Sequence, residues 1–75
     1  MSAEFSVWWW DRDDGQHREL SFVEAEPAMH AVRRLTTGPA ALMGIVQRVI
    51  ITDGGDCTCF EWLKDKGVTF PKEKF

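Results

Sequence analysis

Trp8, Trp9 and Trp10 follow one another near the start of the chain, and no strand can hide three such side chains in one core. Alternation along a strand sends Trp9 to one face and Trp8 with Trp10 to the other. Phe5 to Asp11 alternates Phe5, Val7 and Trp9 against Ser6, Trp8 and Trp10, and its aromatic and β-branched content favours a strand over a helix. A sheet built on this segment must carry indoles on both faces.

Asp14-Gly15 then reads as a two-residue type I′ hairpin loop, which needs positive φ at both central positions. That loop places Asp11 opposite Arg18, Trp9 opposite Leu20 and Val7 opposite Phe22. Glu19, Ser21 and Val23 fall on the same face as Trp8 and Trp10. Glu24 to Thr37 reads as the single long helix. Acids stand in its first turn, Pro27 sits where a missing N–H costs nothing, and Ala25, Ala28, Met29, Val32 and Leu35 form an apolar stripe. His30, Arg33, Arg34 and Thr37 turn toward water. Gly38-Pro39 is expected to end the helix through a left-handed cap, and Pro39 to Met43 allows one more short turn.

A second hairpin follows: a strand over Ile45 to Asp53, a tight turn at Gly54-Gly55, and a return over Asp56 to Leu63. The implied register pairs Thr52 with Cys57, Ile50 with Cys59, Arg48 with Glu61 and Val46 with Leu63. Lys64 to Gly67 reads as a third turn, Val68 to Phe70 as a candidate edge strand ended by Pro71, and 68–75 as edge strand and tail. The predicted fold is α+β, an antiparallel sheet of two hairpins with one helix packed on one face: ββαββ with a candidate fifth strand, in one domain spanning 1–75. A lone helix covers one face of such a sheet. Phe5, Val7, Trp9, Leu20, Phe22, Val49, Ile51, Phe60 and Trp62 are expected beneath it. The uncovered face would hold Trp8, Trp10, Val46, Ile50, Cys57, Cys59 and Leu63, with Arg48 and Glu61 paired among them.

Length and charge narrow the function classes. A core drawn from 75 residues supplies only about 3–5 kcal/mol, so such a domain leans on staples or partners. Cys57 and Cys59 are poor staples, since one intervening residue puts their Cα atoms about 6.6–6.8 Å apart in a strand. With reduced cysteines, no signal-peptide pattern and no apolar run near the roughly 20 residues of a membrane span, a soluble cytoplasmic protein is expected. Net charge is -3, which disfavours nucleic acid as a partner. The first 26 residues are strongly acidic, whereas Arg33, Arg34 and Arg48 are the only charged residues from Pro27 to Thr52.

Candidate chemistry is thin. A flat Cys-x-Cys holds its sulfurs too far apart for one tetrahedral metal ion, Asp53-Gly54-Gly55-Asp56 offers two carboxylates where calcium takes six to eight oxygens, and His17 and His30 lie near no nucleophile. No metal, no cofactor and no catalytic site are expected. The basic helix face of His30, Arg33 and Arg34 is a secondary candidate for an acidic partner. The leading candidate is the uncovered sheet face, comprising Trp8, Trp10, Arg48, Ile50, Glu61 and Leu63, because contiguous exposed apolar patches mark contacts. The expectation is a small interaction module that binds a protein there, foremost a second copy of itself. The alternative is stacking of single-stranded nucleic acid on the indoles.

Overall fold

The computed structural model describes residues 3–71. Five strands form one antiparallel sheet: β1 (Phe5–Asp11), β2 (Gln16–Val23), β3 (Val46–Thr52), β4 (Thr58–Leu63) and β5 (Gly67–Phe70). Their spatial order is β2-β1-β3-β4-β5, so β1 and β3 join the two hairpins at the centre. Between β2 and β3 run α1 (Ala25–Thr37) and the short α2 (Pro39–Leu42). The predicted ββαββ architecture is present, β5 is its fifth, edge strand, and residues 72–75 of the expected tail lie outside the described residues.

The core sits between α1 and one sheet face. Val7, Val46 and Val49 are fully buried, and Ala28, Ala31, Val32, Leu35 and Ile51 complete the cluster. Phe5, Trp9, Leu20, Val23, Ala40, Phe60 and Trp62 pack around it. On the helix the buried stripe is Ala28, Ala31, Val32 and Leu35, while Met29 is 53% exposed. Ala25 is exposed too, so Ala28, Val32 and Leu35 are buried as expected while Ala31 takes the place of Ala25 and Met29 in the stripe. Gly38 ends α1 in extended conformation (φ -79°, ψ -179°) rather than the left-handed cap expected. Its N–H still reaches Arg34 O, and a Cβ there would approach that oxygen to 2.6 Å. Close approach, not positive φ, is why glycine stands there. The left-handed glycine follows α2 instead, at Gly44 (φ 77°).

Both main hairpins turn differently from the expectation, and in the same way as each other. Asp11 O accepts from Asp14 N while Asp11 N donates to Gly15 O, which makes a three-residue loop with Asp14 in the left-handed region (φ 64°). Asp53, Asp56 (φ 62°) and Cys57 repeat the pattern. In each turn the leading aspartate does the organising. Asp11 Oδ1 accepts from the N–H groups of Asp13 and Gly15, and Asp53 Oδ1 from those of Gly55 and Cys57. Aspartate tolerates left-handed backbone better than most residues, so the neighbouring glycine is not needed for it.

The longer loops, the first of which also begins two residues earlier than expected, at Arg12, change the registers. Val7 pairs with Leu20, Trp8 with Arg18 and Trp9 with His17, while Arg48 faces Leu63 and Ile50 faces Glu61. Every pairing also carries at least one register slip, and a single extra residue sends those beyond it to the opposite face. Val46, expected on the uncovered face, lies in the core because the register slips between its pairing with Asp11 and that of Arg48 with Trp10. Val23 packs on the core and Glu19 bonds the helix through Arg34, both expected beside Trp8 and Trp10. Phe22, expected in the core, is 66% exposed with φ 51°. Cys57 belongs to the turn, and Cys59, the extra residue between the pairings of Thr58 and Phe60, lines a cavity on the helix side rather than the open face.

Candidate functional site

The helix packs on one face only, and among the described residues no further layer covers the other. β1 supplies Trp8 and Trp10 to this open face. Across the sheet Trp8 stands level with Arg18 on β2 and Ile50 on β3, and Trp10 with Gln16 and Arg48. Glu61 faces Ile50 and Leu63 faces Arg48 on β4. The six residues singled out from the sequence thus share one face, but they do not form a bare apolar patch.

Each indole has a guanidinium laid over it. The Arg18 guanidinium carbon lies 4.5 Å from the ring centre of Trp8, and that of Arg48 lies 4.6 Å from Trp10. Such stacks contribute about 0.5–1 kcal/mol at exposed sites. Trp8 Nε1 donates to Thr52 Oγ1 at 3.1 Å, and Arg18 Nη1 to Ser21 Oγ at 3.1 Å. Arg48 Nε donates to Glu61 Oε2 at 2.7 Å, and Thr69 Oγ1 on β5 donates to Glu61 Oε1 at 2.9 Å. A chain of contacts therefore crosses four strands, from Trp10 through Arg48 and Glu61 to Thr69. Beside it Arg48, Thr58, Glu61, Thr69 and Phe70 bound an open hollow of about 320 Å³.

The Arg48–Glu61 pair forms although the two residues are not directly opposite. The second hairpin is offset by two residues from the expected register, which keeps both on one face as diagonal neighbours. Ile50 lies on this face but is only 8% exposed, so it serves as the floor beneath the surrounding side chains. Arg18, Thr52 and Thr69 were not among the expected site residues. Arg18 reaches Trp8 only in the observed register, and the two threonines enter through hydrogen bonds that alternation does not reveal.

The helix-borne candidates stand apart from this face. His30 and Arg33 are exposed on α1, and Arg34 Nη2 donates to Glu19 Oε2 at 2.7 Å. The partner of Arg34 is on β2, not among the acids of the helix's own first turn. His17 stacks on Trp9 with centroids 4.2 Å apart, and its Nε2 lies 2.8 Å from Asp11 Oδ2. Hydrogen bonds from His17 and from the turn N–H groups hold the Asp11 carboxyl below the usual carboxylate value. The two cysteines are free and point to separate carbonyls, Cys57 to Gly55 and Cys59 to Ile51. Burial, then the nearby Asp53 charge, pushes the Cys59 thiol above its ordinary value, so it is a poor nucleophile at neutral pH. Among the described residues no three His, Cys, Asp or Glu side chains gather as a metal site, and no helix is long and apolar enough to cross a membrane.

Compared with protein-family models, with curated proteins and with solved structures, the chain matches none.

Proposed function

We propose that this chain is a self-associating interaction module whose open sheet face packs against the same face of a second copy. The observation that carries this reading is the pair of arginine-capped indoles on a sheet face with no covering layer among the described residues. Tryptophan and arginine are the residue types most enriched where interfaces concentrate their binding energy. Five strands about 4.8 Å apart, each rising about 3.3 Å per residue, outline a face of roughly 20 by 20 Å. Side-chain relief raises the contact area above that projection, toward the scale of a small interface of less than about 600 Å² per partner. The dimer is accordingly weak and concentration-dependent.

Charge placement is compatible with two copies meeting. Arg48 is neutralised within its own face by Glu61, while Arg18 sits on the edge strand β2. A two-fold axis near β3 would keep the two Arg18 groups at opposite rims, farther apart than the screening length of about 8 Å. Face-to-face sheets about 10 Å apart would leave both helices outside. Base stacking, by contrast, meets a guanidinium already laid over each ring. Mixing isotope-labelled and unlabelled protein at millimolar concentration tests the reading by NMR. Contacts between copies at Trp8, Trp10 and Leu63 are expected, and contacts confined to α1, or none, would overturn it.

A further inference from the structure

On the covered side of the sheet, the helix leaves a gap at its N-terminal end. The residues it presents there are short, Ala25 and Ala28, whereas Val32 and Leu35 fill the space farther along. Opposite the alanines stand Phe5, Ile51 and Phe60, and the result is a cavity of about 170 Å³. Met29, 53% exposed, and Cys59 complete its wall.

We propose that this cavity binds a small apolar molecule the size of a single aromatic ring. No lining side chain carries nitrogen or oxygen, and the Cys59 Sγ–H is directed to Ile51 O at 3.4 Å. Among the described residues no buried side-chain nitrogen or oxygen lacks a hydrogen-bond partner, so no polar side chain waits there for a polar ligand. The recess is partly open to solvent at Ala25, Met29 and Cys59, but its side chains offer none of the two to four polar partners a bound water needs, and its volume is on the scale of the apolar void of about 150 Å³ that takes benzene. Two phenyl rings and two soft sulfurs suit an aromatic guest, since thioether and thiol sulfur pack favourably against ring edges. Met29, unbranched and partly in solvent, stands at the entrance and can adapt to the guest's shape. The cavity is separated from the open face by the sheet, so this site is independent of self-association.

Benzene is the probe. Titrated into the labelled full-length chain, it should give saturable shifts of the Ala28 and Met29 methyl signals, and saturation should slow Cys59 alkylation by iodoacetamide several-fold. Filling the space with Ala28→Leu should abolish both effects. Ala25→Leu, which narrows the cavity from an exposed helix position, serves the same purpose without touching the core. No saturable shift up to the solubility of benzene, shifts centred on Trp8 and Trp10, or a response unchanged in the folded filled variants would each overturn the proposal.

Discussion

Asp11 shows how much one side chain organises in this fold. One carboxylate oxygen takes two backbone N–H groups of the first turn and the other meets His17, which itself lies flat on Trp9. Asp11→Asn keeps an oxygen for the turn but loses the charged partner of His17. Because the folded-state value of Asp11 is depressed below 3.8, its stabilisation is present above the unfolded value and lost as pH falls through the folded one. Thermal unfolding should therefore show Asp11→Asn below wild type at neutral pH, with the gap closing in strong acid; a gap constant with pH would contradict this. Phe22 offers a second check, as a bulky residue held at φ 51° with its side chain mostly in solvent. Asparagine accepts that backbone more readily, so Phe22→Asn should be neutral or stabilising by up to about 1 kcal/mol in urea unfolding. At this scale the sequence misled in one respect. Asp14-Gly15 looked like a two-residue loop, yet Asp14 alone takes the left-handed position, and the signal for that was the aspartate three residues earlier, able to accept from the turn's own N–H groups.

The elements themselves were legible. Aromatic and β-branched alternation marked β1, the acids, Pro27 and the terminating Gly38 bounded α1, and Asp-Gly and Gly-Gly located the two hairpins. Register was not legible, because alternation assumes unbroken pairing and a bulge inserts one residue without a compositional trace. Val46 and Phe22 exchanged places for that reason, and they make a paired test. Val46→Ala removes two fully buried methyl groups and should cost about 2 kcal/mol, from roughly 0.8 kcal/mol per group plus a small cavity term. Phe22→Ala should change stability by less than about 0.5 kcal/mol. Denaturant midpoints measured on both variants decide, and the reverse order would restore the unbulged register.

For the molecule as a whole, one long helix and a short one leave half of a five-stranded sheet without a covering layer among the described residues, and the sequence implied this by offering one long helix to a sheet with indoles on both faces. What it could not convey was that the two on the open side are capped by arginines, since Arg18 meets Trp8 only after the slip in β2. The face is therefore both apolar and polar, built of flat rings under guanidinium groups on a floor of Ile50. Loss of one capping arginine should weaken association more than folding. Arg48→Gln is expected to leave the monomer within about 2 kcal/mol of wild type, because it removes one partly exposed ion pair and one cation–π stack, each worth up to about 1 kcal/mol. It should nevertheless reduce dimer formation in sedimentation experiments at matched concentration, and unchanged association would remove Arg48 from the contact. Self-association of the folded chain as proposed would also make the melting temperature rise with protein concentration.

The most direct measurement is the solution mass of wild type and of Trp10→Ala by light scattering at low micromolar and near-millimolar concentration. The wild type should move from monomer toward dimer across that range while folded Trp10→Ala remains monomeric. A wild type that stays strictly monomeric at the upper concentration, or a variant that dimerises equally well, would contradict the assignment of the open face as the self-association surface.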